Sequence, residues 1–522
     1  MSPKGGNMTL TLKQKIGQMF FAGFPSTFVD EQAKTLAREY KVGNFILFAR
    51  NFVSAEQTAA LTGGLSQLVY EETGIVPFIS ADQEGGSVLR IREGALQFSG
   101  AMAVAAGASE ETAFALGKNC GELLRAHGVN VNLAPVADVN SEPLNPVIGT
   151  RSFGDDPEAV GRFAAAVAKG MAAGGVLPVI KHYPGHGNVK SDSHLKLPFN
   201  DSPLSYLEEN DFSPFVHAFR EGAEALMSCH VVFTAIDPER PATLSPLILT
   251  ELLRKKQGFE GIVVTDCMEM KAIAADYSMA EAAVMTVEAG ADILCVSHSL
   301  DAVKEAAEGI LRAVESGRLT EERIDASCRR ILAAKARYGL KVPEMPDAAK
   351  AQALLFEEAR LALVKKAAGN SITLLFDAGG IDAFRNAKKP LLIAPRPYAR
   401  TGVEEEERVK SSLCAAAKAH FGMDTLEFAI DGETPCVPEG YDALLLGLYN
   451  ARFHEGQRQL LRAAEESGLP LTVLLLGGPY DASLVKRADA CIAAYDYIPL
   501  SVEALLCALA EGSFSGKAPV RL

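Results

Sequence analysis

Short apolar runs alternate with amphipathic segments from residue 15 to about residue 340, and this alternation constrains the fold more than any other feature of the chain. Residues 43–48, 77–82, 129–135, 178–182, 225–231, 261–266 and 291–296 read as strands, and 15–24 holds a further candidate. Helical patterns such as 110–126 and 157–173 lie between them. Seven or eight strand–helix units over this length predict an α/β unit with parallel strands closed into a TIM-like (β/α)8 barrel. An open doubly wound sheet is the competing topology.

Two helices, about 300–316 and 321–338, close this half, and the stretch Val342-Pro343-Glu344-Met345-Pro346 breaks the pattern. A long helix to about Ala368 is expected next. A second strand series follows at 372–376, 390–394, 426–430, 443–448, 471–476 and 490–494. The expected organisation is a barrel over 1–342, a linker and helix over 343–370, and a smaller open α/β sandwich domain over 371–522. A chain of 522 residues is too long for one core, which agrees.

The net charge of −14 argues against nucleic acid or an anionic membrane surface as the main partner. No apolar run approaches the roughly 18 residues of a membrane span, and the N-terminal residues do not read as a signal peptide. The nine cysteines are scattered, mostly in apolar segments such as those around Cys295 and Cys507, and form no CxxC. Reduced, buried thiols and a cytoplasmic location are expected.

Residues 180–198 carry His182, His186, His194, Asp192 and Lys181 around Pro184, Gly185 and Gly187, which forbid a regular helix. This is a strand end running into a loop dense in titratable groups, where chemistry usually sits. In a barrel, catalytic groups lie just after strand C-termini. Asp82-Gln83-Glu84-Gly85-Gly86 with Arg90, Asp138, the run from Asn145 to Phe153 with Arg151, His230, and Asp266 all fall at such places. Each alone has a plainer reading. Asp82 or Asp266 is as readily a helix N-cap, His230 reads better as a hydrogen-bonded core histidine, and Arg151 can be a structural ion-pair partner. Five such clusters at one barrel end are harder to set aside together. His182, His186, Asp192 and His194 are possible metal ligands, but the Pro-Gly break keeps the first two off one helical face and Lys181 repels a cation. No metal and no cofactor are expected. Gly477-Gly478 after an apolar strand reads as an ordinary turn rather than a phosphate cradle.

Taken together, DQEGG with Arg90 (82–90), NPVIGTRSFGDDP (145–157), IKHYPGHG (180–187) with DSH (192–194), VVTDCMEM (263–270), PATLS (241–245) and GKAPV (516–520) resemble glycoside hydrolase family 3, in its bacterial β-N-acetylglucosaminidase branch. The resemblance covers nearly the whole chain. It implies a barrel followed by an α/β sandwich, and a retaining double displacement through a covalent glycosyl-enzyme. Asp266 matches the nucleophile, His194 the general acid/base and Asp192 its partner. Asp82, Arg90, Arg151, Lys181 and His182 match positions that hold the terminal sugar. Ser87 and Asn188 depart from the arginine and aspartate common there, and bear on fine specificity rather than reaction class.

The chemistry of the residues agrees. A retaining glycosidase needs a carboxylate under the anomeric carbon and a proton donor at the leaving oxygen. Histidine titrates near neutrality, so His194 can give and recover a proton, with Asp192 fixing its tautomer. The leading expectation is an exo-acting β-N-acetylglucosaminidase taking a small carbohydrate, from peptidoglycan fragments or chitooligosaccharides. A glycoside phosphorylase using the same residues is the second, because a neutral histidine repels phosphate less than a carboxylate does. A non-catalytic sugar-binding protein is the third. The oligomeric state is left open by the sequence.

Overall fold

The computed structural model describes residues 10–91, 97–189, 197–396 and 412–522. Its first unit is carried by short parallel strands, β1 (Phe20–Ala22), β2 (Asn44–Ile46), β3 (Phe78–Ala81), β4 (Val131–Asn132), β5, β6 (Ala225–Ser228), β7 (Ile262–Cys267) and β8 (Ile293–Val296). β5 comes in two pieces, Leu177–Pro178 and Ile180–Tyr183, separated at Val179. The first piece pairs with β4 and the second with β6, so β5 joins the two halves of the sheet. The other pairings run β1–β2, β2–β3, β3–β4, β6–β7, β7–β8 and β8–β1, all parallel. Each strand therefore has two neighbours and the ring closes. The barrel reading holds and the open sheet does not.

Several helices outside the ring start where the sequence supplies a cap. Asp30, Ser54, Ser109 and Asp156 each accept a backbone N–H of the helix that follows, and Pro157 opens its helix at a position with no N–H to lose. The strands are buried except at the end of β7, where Asp266 and Cys267 are half-buried, and their apolar side chains merge with the inner helix faces into one core.

The second unit is a six-stranded open sheet in the order β9 (Thr373–Asp377), β14 (Ala490–Ala493), β13 (Leu471–Leu475), β12 (Ala443–Leu448), β10 (Pro390–Pro395) and β11 (Asp424–Phe428). Only β9 is antiparallel to its neighbour. Apolar clusters cover both faces, and one of them takes in Met102, Ala103 and Ala106 of the barrel-side helix Ala101–Gly107.

Two expectations are corrected. The long helix before the second sheet is broken into Ala348–Leu355 and Glu358–Ser371. The first half packs on Ala55–Thr73, the second on Ala101–Gly107 and Pro499–Glu511, and the chain turns at Phe356 and Glu357 between these two docking sites. All nine cysteines are free thiols, but Cys436 and Cys507 are exposed. Cys507 lies in an apolar run, yet it sits on the face of Pro499–Glu511 opposite the buried Leu505 and Leu509. Among the described residues, no helix is long and apolar enough to cross a membrane.

Candidate active site

At the C-terminal end of the barrel strands lies a cavity of about 350 Å³, lined among others by Phe48, Asp82, Arg90, Arg151, Lys181, His182, Asp266 and His298. Six of the eight residues expected in the site thus converge on one space. Asp192 and His194 lie outside the described residues.

The wall beyond β3 and β5 is an ionic lattice. Lys181 Nζ lies 2.7 Å from Asp82 Oδ1 and 2.7 Å from Glu84 Oε1. Arg90 Nη2 donates to Asp82 Oδ2 at 3.3 Å. Arg151 grips Glu84 with two parallel bonds, Nε to Oε2 at 2.8 Å and Nη2 to Oε1 at 2.7 Å. All five groups are nearly sealed from water. Burial would raise the Asp82 and Glu84 carboxyls, but the facing cations outweigh it and hold both below the usual carboxylate range. Burial would lower Lys181, and the same two carboxylates raise it instead. Asp82, Glu84, Lys181 and Arg151 are thus all ionised at neutral pH. Each Asp82 oxygen, engaged by a single cation, keeps a lone pair for a sugar hydroxyl. Asp82 caps no helix, so its plainer reading fails.

Glu84, part of the DQEGG run but not among the sugar-holding positions the resemblance implies, joins the site through Arg151 and Lys181. Asp138, expected as a polar group beyond a strand end but with no assigned role, also belongs to the site. It is fully buried after β4, accepts His182 Nδ1 at 2.6 Å, and accepts the backbone N–H groups of His182 and His186 at 3.2 Å and 2.6 Å. Burial would raise its carboxyl, but the neighbouring His182 holds it down. With Nδ1 engaged by Asp138, His182 has Nε2 left for a ligand. His186 stands behind it, and burial lowers it to about 4, so it is neutral at physiological pH.

Asp266 is the last residue but one of β7, with its Oδ1 accepting the Cys267 N–H at 2.7 Å. It caps no helix; the next one starts after Met270. His230 supports this strand end from behind, through Nε2 at 3.0 Å from the Cys267 carbonyl and Nδ1 at 3.0 Å from Thr243 Oγ1. It is the core histidine that the sequence favours. On the opposite wall Phe48 carries Arg50 on its ring, with the guanidinium 4.5 Å from the centroid, and packs against His298.

Cys267, Glu269 and His298 bring three metal-competent atoms within 4.8 Å. The group is poorly suited to a cation. Glu269 is already occupied by the backbone N–H groups of Ser297, His298 and Ser299, and Arg50 Nη2 sits 3.4 Å from His298 Nδ1. In the second unit, Gly478 spends its N–H on Asn450 Oδ1 at 3.1 Å, which fits an ordinary turn and not a phosphate cradle.

Residues 11–334 match the family described as glycosyl hydrolase family 3 N terminal domain. Beta-hexosaminidase A of Pseudoalteromonas piscicida is 32% identical over 378 residues, covering 64% of this chain. The match takes in 62% of that protein, less than two thirds of its length. Beta-hexosaminidase of Methylococcus capsulatus is 39% identical over 280 residues, 52% of this chain and 80% of that protein. Among solved structures, a glycoside hydrolase family 3 beta-N-acetylglucosaminidase from Paenibacillus sp. str. FPU-7 superposes with a TM-score of 0.91 at 36% identity, covering 98% of this chain and 99% of that one. The chain belongs to glycosyl hydrolase family 3.

Proposed function

We propose that this family 3 chain is an exo-acting, retaining β-N-acetylglucosaminidase that removes non-reducing terminal N-acetylglucosamine from peptidoglycan fragments or chitooligosaccharides. The observation that carries the reading is one cavity in which Asp266 shares the space with Asp82, Lys181 and Arg151, the last two joined through Glu84. One wall offers a carboxylate on a rigid strand end for attack at the anomeric carbon. The other offers fixed acceptors and donors for the hydroxyls of one terminal sugar ring. The choice of N-acetylglucosamine is supported by the name of the Paenibacillus relative.

In this reading Asp266 attacks the anomeric carbon while His194 protonates the leaving oxygen. The glycosyl-enzyme is then hydrolysed by a water that His194 deprotonates. Asp192 orients the imidazole. Asp82, Arg90, Lys181 and His182 hold the sugar, and Arg151 acts on the same wall through Glu84. Binding through a pre-ordered lattice favours catalysis because little reorganisation is left for the transition state.

The test sets a chromogenic β-N-acetylglucosaminide beside the matching β-glucoside, each with and without phosphate. Faster release from the N-acetylglucosaminide, with free sugar as product in both buffers, is the expected result. Sugar 1-phosphate as the product would replace hydrolysis with phosphorolysis. A preference for the glucoside would overturn the substrate assignment.

A further inference from the structure

The second unit reaches back to the sugar-binding wall at two points. Asp496, three residues beyond β14 and 4% exposed, accepts the Gly100 N–H through Oδ2 at 2.8 Å. Its other oxygen packs on Gly86, where a Cβ would collide with it. Gly86, with φ of +54°, donates its N–H to the Phe98 carbonyl at 2.7 Å. The carboxylate therefore bears on both runs of one loop, the run leaving Glu84 and the run returning at residues 98–100. Nearby, Leu500 N–H donates to Gln97 Oε1 at 3.3 Å.

The second point is Tyr480. Its hydroxyl accepts Asn140 Nδ2 at 2.6 Å. Asn140 Oδ1 accepts the N–H of Gly149, the first residue of the single 3-10 turn that carries Arg151. The Tyr480 ring is backed by the Arg452 guanidinium at 5.3 Å, which is itself paired with Asp481 at 3.1 Å. One tether thus ends two residues from Glu84, and the other two residues from Arg151. These are the two partners of the bidentate ion pair. The Gly85–Gly86 segment has no side chains of its own to fix it, so its geometry depends on such outside contacts.

We propose that Asp496 and Tyr480 are positioning residues, through which the second unit holds the Glu84–Arg151 pair, and with it Lys181 and Asp82, in the geometry that binds the sugar. The inference rests on the functional reading above. It gives the second unit a task in the barrel's own site without placing any of its atoms on the substrate.

The experiment uses the full chain and compares Asp496→Ala, Asp496→Asn and Tyr480→Phe by two readouts. The first is steady-state kinetics on the chromogenic β-N-acetylglucosaminide. Asp496→Ala is expected to raise KM about tenfold or more while kcat changes less than about threefold. Asp496→Asn keeps an acceptor for the Gly100 N–H and should recover KM to within about threefold of wild type. The second readout is hydrogen exchange without sugar. Asp496→Ala should speed exchange across residues 83–91 and 98–100, and Tyr480→Phe across 147–153, each about tenfold, with β7 unchanged. Should Asp496→Ala fail to fold, Tyr480→Phe removes a single hydroxyl and carries the comparison. Unchanged exchange in these segments, an equal fall of kcat at constant KM, or no recovery in Asp496→Asn would overturn the proposal. A wild-type chain inactive on the sugar would sink the functional reading alone, because the exchange measurement still decides whether the tethers order the wall.

Discussion

Arg151 holds Glu84 by two parallel hydrogen bonds of 2.7 and 2.8 Å, with both side chains no more than 6% exposed. A buried ion pair of this kind adds little net stability compared with an apolar replacement, but removing one partner leaves the other charge stranded. Here Arg151 and Lys181 both pair with the one carboxylate, and Lys181 has Asp82 as a second partner.

Glu84→Gln should therefore destabilise the fold by about 3 kcal/mol, the low end for a broken buried pair, since the amide still accepts a hydrogen bond. The carboxyl is held below its ordinary value of 4.5, so its contribution is intact above that pH and lost as pH falls through the depressed folded value. The gap between wild type and variant should be full at neutral pH and shrink in acid. Urea unfolding of both proteins across that range measures it. Equal stability at neutral pH would mean the pair does not hold this wall.

Asp211 offers a prediction of opposite sign. It accepts Asn200 Nδ2 at 2.9 Å beneath the loop that follows Gly185, and burial lifts its carboxyl from 3.8 to about 7. The folded state binds this proton more tightly than the unfolded chain. Its contribution is present below the unfolded value and lost as pH rises through about 7. Asp211→Asn keeps an acceptor and removes that loss. The variant should be more stable than wild type at about pH 8, by on the order of 2–4 kcal/mol, with the gap closing toward about pH 4. A variant less stable at alkaline pH would contradict the reading.

The barrel was legible because the strands are short apolar runs separated by helical patterns, several of them opened by a capping side chain, and a strand was expected at 178–182 where β5 runs. Strand lengths were less legible. The run 129–135 pairs regularly only at Val131–Asn132, and Pro135 has no N–H to extend a ladder. Asp82, Arg151, Lys181 and Asp266 stood out through motif and strand-end position. Glu84 did not, because its role depends on Arg151, 67 residues away, and on Lys181. Asp496 and Tyr480 carry no local signal at all. Their importance comes from meeting Gly100 and Asn140, 396 and 340 residues distant.

The proton-transfer assignment predicts a leaving-group signature. General acid catalysis is typically worth ~10²–10⁴ in rate. His194→Ala should lose that much on an alkoxide-leaving disaccharide, and far less on an activated aryl glycoside whose phenolate needs little protonation. Asp192→Ala should follow the same pattern more weakly, since it removes only the orienting partner. Azide, which needs no base, should speed turnover of the His194 variant and yield a β-glycosyl azide. Equal losses on both substrates without an azide response would place the proton on another residue.

On the proposed mechanism Asp266 forms the covalent bond to the sugar. A 5-fluoro-N-acetylglucosaminyl fluoride slows breakdown of a glycosyl-enzyme, so the adduct can be trapped, digested and sequenced by mass spectrometry. One sugar per chain is expected, on the peptide containing Asp266, and no adduct in Asp266→Asn. A label on a different carboxylate, or turnover of active enzyme with no adduct on any residue, would contradict it.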